Sequence, residues 1–122
     1  MKLLDQKLAA KVNPETHLGM QRLMDSAIVI HRVGPSQAEI HTKEADFIFV
    51  QAGEGAVLVG GSMVEGKPSG PDELRGKSME GGTRYPLRAG DQIYIPANMV
   101  HQFLVEPGKE LTATIVKVVP KQ

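Results

Sequence analysis

The sequence predicts an all-β fold, a sandwich or small closed barrel of short antiparallel strands preceded by a short N-terminal helix or arm. Three observations carry this. Thirteen glycines and eight prolines punctuate a chain that must reverse direction often, which favours short strands over long helices. Between these breakers, β-branched and aliphatic runs recur at hairpin spacing. A chain of 122 residues holds one compact domain and buries roughly two-thirds of its extended surface. None of its apolar runs approaches the roughly 18 residues needed to span a bilayer.

Taken in order, Lys2–Val12 places Leu3, Leu4, Leu8 and Val12 on one face of a short helix that Asn13-Pro14 would end. Glu15–Asp25 is mixed and predicts no element. Ala27–Val33 (AIVIHRV) is a strand bounded by Gly34-Pro35. Ala38–Thr42 reads as a short polar strand and Asp46–Gln51 as the next. Ala52-Gly53-Glu54-Gly55 reads as a turn, so Asp46–Gln51 and Ala56–Val59 are expected to form a hairpin. Gly60–Thr83 is polar, glycine-rich and interrupted by Pro68 and Pro71. It predicts a flexible flap or a functional loop. Tyr85–Arg88, Asp91–Ile95, His101–Val105 and Leu111–Val119 complete the strands. Closing such a series removes its exposed edges. Residues 1–122 read as a single domain with a barrel core from about 26 to 119.

Composition excludes several functions. Lys+Arg and Asp+Glu both number 14, so the chain has no electrostatic footprint for nucleic acid or an anionic membrane. Aromatic residues are 4%, too few for a base-stacking platform. The absence of cysteine excludes disulfides, thiolate zinc sites and a cysteine nucleophile. Charges throughout Met1–Ala10 break any signal-peptide apolar run, and cytoplasmic location is expected. Two glycine-lysine segments fall short of a phosphate loop. Gly61 to Lys67 is followed by Pro68, and Gly70 to Gly76-Lys77-Ser78 has one residue too many. Arg75, Lys77, Arg84 and Arg88 lie around the glycine-rich segment and read as a solvated basic loop able to steer an anionic ligand.

Metal or proton chemistry then falls to four histidines and the carboxylates. Glu39 and His41, two apart on a strand, share a face. Asp46 opens the following strand, and His101 follows a proline corner. If the barrel brings the His101 strand opposite Ala38–Thr42, then Glu39, His41, Asp46 and His101 converge as four ligands. A solvated polar strand face would show the same spacing. His31 reads as a packed or surface strand histidine, and His17 as a solvated loop residue.

The segment Glu39–Gly53 resembles the first conserved motif of the cupin superfamily: two histidines flanking one residue, three or four residues, an acidic ligand, six residues and a glycine. Gly90–Val105 resembles the second motif, with Gly90, Pro96 and His101 in register. The departures are Glu39 for the first histidine, Asp46 for glutamate, Asn98 for glycine and Val105 for asparagine. A shifted register using His41, Lys43 and Glu44 would leave Asp46 without a role and break the six-residue spacing to Gly53. The resemblance covers roughly Val33–Val119. It implies a cupin-type double-stranded β-helix, or jelly-roll barrel, holding a divalent metal ion, with Glu39, His41, Asp46 and His101 as its ligands.

Two imidazoles with hard oxygen donors favour Mn, Fe or Zn over Cu, and two carboxylates would make the ion's site formally neutral. The resemblance further implies a mononuclear enzyme acting on a small organic molecule (dioxygenase, isomerase or lyase). It also implies a homodimer, for which Ala27–Ile30 and Ile115–Val119 are candidate contacts. The alternatives are a non-catalytic small-molecule-binding or sensor cupin, with or without metal, and a purely structural dimer module.

Overall fold

The computed structural model describes residues 11–120; all but the last two residues of the expected helix at Lys2–Val12 lie outside them. Among the described residues there is no α-helix, and twelve strands form. They are β1 (Leu18–Met24), β2 (Ala27–Arg32), β3 (Ala38–His41), β4 (Ala45–Val59), β5 (Ser62–Val64), β6 (Lys67–Gly70), β7 (Glu73–Gly76), β8 (Ser78–Glu80), β9 (Thr83–Arg88), β10 (Gln92–Ile95), β11 (His101–Leu104) and β12 (Leu111–Val118). The main sheet runs β1-β2-β12-β4-β11-β3-β7-β6, with β9 and β10 also paired to β4, while β5 and β8 pair separately. All these pairings are antiparallel.

Alternation dictates the core. Ile48 and Val50 on β4, Ile30 on β2, and Leu111, Ala113 and Ile115 on β12 turn inward against Val57, Leu87, Ile95 and Phe103. Ile48, Ile95, Leu111 and Val57 are the largest fully buried side chains; burial of each stabilises the fold by about 1.5–3 kcal/mol. Lys117 and Asp46 continue the inward rows of β12 and β4, so two ionised groups stand at the end of an otherwise apolar layer.

Three expectations are corrected. Residues 46–59 do not form a hairpin. They are one strand, β4, which pairs with β12 along its first part and with β9 and β11 along its second. Its glycines serve a bend instead of a reversal. The register against β12 slips between Val50 and Ala52, leaving Gln51 as a bulge. Gly53 has φ +79°, and a Cβ there would collide with the Glu110 carbonyl. That carbonyl accepts the Glu54 N–H at 2.8 Å.

Nor is Gly60–Thr83 a loop, because it folds into β5 to β8. β7 pairs with β3 and carries β6 on its outer side. β6 is exposed at all four positions, so pairing through the backbone left no apolar alternation to read.

Leu18–Met24, where no element was expected, forms β1 along β2. Of the candidate dimer segments, Ala27, Val29, Ile30 and Ile115 are buried within the chain itself, whereas Val118 and Val119 are exposed.

Candidate metal centre

Strand pairing assembles the site. His101 on β11 lies opposite Glu39 on β3. On the other side of β3, Arg75 pairs with Glu39 and Glu73 with His41. Asp46 is flanked by Ile95 of β10 and Lys117 of β12. The corner before β11 is pinned by the Asn98 N–H, which donates to the His41 carbonyl at 2.8 Å. Asn98 takes φ 64°, a left-handed conformation that asparagine tolerates better than most side chains. It can therefore stand where the cupin motif has glycine. Val105, at the motif's asparagine position, is buried and joins the core.

Glu39, His41 and His101 each offer a ligand atom, and these atoms lie within 4.8 Å of one another. His41 Nε2 is 3.3 Å from Glu39 Oε2 and 3.7 Å from Asp46 Oδ2. His101 Nε2 is 3.8 Å from each of the same two oxygens, and the two rings are 5.3 Å apart between centroids. Asp46 thus reaches both imidazoles, but the tighter group is the other three. The shifted register is not what the fold builds: the Lys43 side chain is 70% exposed and pairs with Asp72 at 3.6 Å.

Both imidazoles are oriented from behind. His101 Nδ1 faces the Met99 carbonyl at 3.2 Å. That contact assigns the Nδ1–H and leaves Nε2 as the inward lone pair. His101 Nε2 is buried and has no hydrogen-bond partner. Burial lowers its pKa despite Glu39, the Met99 carbonyl and Asp46, so this ring is neutral. His41 Nδ1 faces Glu73 Oε2 at 3.3 Å, the carboxylate–imidazole arrangement that fixes a metal-binding ring.

Burial pulls His41 down as well. The hydrogen bond to Glu39, with the charges of Asp46 and Glu39, outweighs burial and Lys117, and its pKa is raised. Burial pushes the Glu39 carboxyl up. The hydrogen bond with His41 and the surrounding positive charge, Arg75 included, outweigh it and hold the group at about 2.

The donor set fits a divalent ion. Donors about 2.1 Å from one ion stand roughly 3.0–3.4 Å apart in tetrahedral or octahedral shells, and the imidazole nitrogens here lie 3.3–3.8 Å from the carboxylate oxygens. A metal entering on the Nε2 side of His41 would displace any proton held there, so binding would be coupled to pH. One feature opposes entry: Lys117 Nζ is 3.0 Å from Asp46 Oδ1 and 3.5 Å from His41 Nε2.

Glu73 and Lys117 were missed in the sequence, and Arg75 was read only as part of a solvated basic loop. Lys117 carried a signal, since its parity with Leu111, Ala113 and Ile115 turns a lysine inward. Glu73 carried none beyond its alternation with Leu74. Arg75 Nε contacts Glu73 Oε1 at 2.7 Å and Glu39 Oε1 at 3.5 Å. His31 lies outside the group: it is buried on β2 with Nδ1 2.8 Å from Thr112 Oγ1. His17 is exposed, as expected.

No family model matches the chain, and no curated protein matches it. Solved structures do. TT1209 from Thermus thermophilus is 17% identical, with 98% of each chain covered and a TM-score of 0.67. A Cupin 2 conserved barrel domain protein from Salinispora arenicola is 18% identical, covering 96% of this chain and 87% of that one, with a TM-score of 0.60. Hydroquinone 1,2-dioxygenase from Sphingomonas sp. TTNP3 is 12% identical, covering 99% and 82%, with a TM-score of 0.61. The chain has the cupin fold. Its structural neighbours include enzymes.

Proposed function

We propose that residues 1–122 form a single metal-binding cupin domain, a mononuclear metalloenzyme acting on a small organic molecule. Glu39, His41 and His101 hold the ion and Asp46 supplies a fourth oxygen. The observation that carries this reading is the buried, partnerless Nε2 of His101 facing Glu39 and Asp46. A buried acceptor without a donor is costly, and a bound cation is the partner that a neutral imidazole between two carboxylates would take. Two imidazoles and hard oxygens suit Mn, Fe or Zn. A bound ion would supply Lewis-acid or redox chemistry at a substrate oxygen.

The chain's own residues do the rest. Glu73 holds His41 by its Nδ1. Arg75 steadies the Glu39 carboxylate. Asp46, outside the tightest donor group, would be the ligand able to leave the ion and act as general base. A homodimer with a small-molecule ligand, and neither nucleic acid nor membrane as partner, completes the proposal. The enzymatic neighbours support a catalytic role without selecting among dioxygenase, isomerase and lyase chemistry.

Lys117 favours a second reading, a small-molecule-binding or sensor barrel without metal, because its ammonium already neutralises Asp46. Elemental analysis of untagged protein for Mn, Fe, Ni, Cu and Zn separates the two. Near-stoichiometric metal that is lost in His41→Ala and His101→Ala supports the first reading. Metal-free protein with unaltered stability in both variants supports the second.

A further inference from the structure

Arg32 ends β2 on the inward face shared with Ile28 and Ile30, and it is 7% exposed. Its guanidinium touches only main-chain oxygens, with Nη1 3.2 Å from Thr16 O and 3.5 Å from Gly34 O. Its Nε is buried with no partner, and among the described residues it makes no ion pair. A buried cation without a contacting counter-charge is expensive to keep, so a folded chain supplies an anion from itself or from a ligand.

Beside Arg32 is a cavity of about 380 Å³, lined among the described residues by Thr16, Leu18, Arg32, Gln37, Glu39 and Arg75, together with the exposed Glu15. Its size is that of a small-molecule site. Arg75 brings a second guanidinium whose Nε is fixed by Glu73 and Glu39. Its two Nη nitrogens have no partner among the described residues. Burial pulls the Arg32 guanidinium below its usual value, Glu39 pulls it up, and Arg75 pulls it down again. The two cations therefore act on one another across this space.

We infer that Arg32 and Arg75 bind the carboxylate of a small organic acid in this cavity, which makes the substrate of the adjoining metal centre an organic acid. As a substrate assignment this rests on the metal-centre reading. The binding of the anion rests on the guanidinium pair alone. Planar guanidinium forks match a carboxylate bidentately. Arg75 is already balanced by Glu73, and Glu39 acts on Arg32 only from a distance, with no ion pair within 4.0 Å among the described residues, so the charge of Arg32 is only partly compensated. Glu39 and Glu15 in the lining would repel a dianion, so a singly charged carboxylate fits better than phosphate. Glu39 joins the two sites: its Oε1 faces Arg75 and its Oε2 faces His41. The bound acid group therefore lies one side chain away from the donor cluster.

Calorimetric titration of the EDTA-treated full chain with butyrate, its uncharged isostere butyramide and inorganic phosphate tests this. Butyrate should bind saturably and butyramide should not. Arg75→Gln and Arg32→Lys, the latter keeping the charge but losing the fork, should each weaken butyrate by about tenfold or more. Butyrate binding that is absent, that stays within about twofold in both variants, or that is weaker than phosphate binding would overturn the inference. Manganese titration of the same preparation reads the metal centre separately. Butyrate binding without manganese binding keeps the anion site and removes the metal-centre reading, and with it the substrate assignment. Manganese binding without butyrate removes the anion site and leaves the metal centre standing.

Discussion

The Lys117 ammonium stands 3.0 Å from Asp46 Oδ1 and 3.5 Å from His41 Nε2, so a cation already sits among the donors proposed for a metal. A unit charge about 4 Å from a divalent ion costs roughly 8 kcal/mol at an effective dielectric near 20. The side chain is 22% exposed and can relieve much of this by swinging outward. Lys117→Met should therefore bind manganese at least about tenfold more tightly by calorimetry. Without metal it should be less stable by about 3 kcal/mol, because buried Asp46 loses its ammonium partner and keeps only the longer contacts to His41 and His101. Equal manganese affinity in variant and parent would show that the ammonium does not compete.

Glu73 acts on the site through His41. Glu73→Gln should preserve the fold and lower manganese affinity roughly 10- to 100-fold, the usual effect of removing a carboxylate behind a metal-binding imidazole. A Lys43→Ala control, far out on the surface, should leave the affinity where it was.

His31 tests which histidines matter. It is buried, but its Nδ1 is engaged with Thr112 and it takes no part in the donor group. His31→Ala should retain the parent's metal content in elemental analysis while His101→Ala loses it. The reverse pattern would place the metal elsewhere.

In the metal-stripped chain, Glu39 makes stability depend on acid. Its carboxyl is held at about 2 in the fold against 4.5 as the reference value. A depressed carboxyl contributes in full above the unfolded value, and the contribution is lost as pH falls from 4.5 toward 2. Urea denaturation between about pH 5 and about pH 3 should show a steeper loss for the parent than for Glu39→Gln.

Gly53 is the motif glycine whose role is backbone geometry. With φ +79° and the Glu110 carbonyl against its open side, Gly53→Ala should destabilise the chain by about 2 kcal/mol or more. Gly90→Ala should be milder, since Gly90 has φ +93° but open space around it. Thermal melts of the two variants would rank them.

Much of the site was legible because strand periodicity is strict. Glu39 and His41 had to share a face, and the spacing shared with cupins placed His101 on a later strand that does pair with β3. What stayed hidden has physical reasons. Glu73 and Arg75 lie on β7, which packs few apolar side chains and joins the sheet through backbone bonds, so hydropathy could not reveal it. Gly53 and Gly55 looked like a reversal because a turn and a bend can both use a left-handed glycine, as β4 does at Gly53. Only the carbonyl of Glu110, supplied from 57 residues farther along the chain by β12's approach, decides between them. Arg32 drew no reading of its own from the sequence, although its parity with Ile28 and Ile30 marks it as inward.

The unbroken run of β4 through Gly53 makes it the keel of the molecule: β12, β10, β9 and β11 are all moored to that one segment. A new pair of chain ends opened there, or a tag spliced in after Gly53, would be harmless at a hairpin tip. Here it would cut the beam that carries Asp46 at one end and braces the His101 strand at the other.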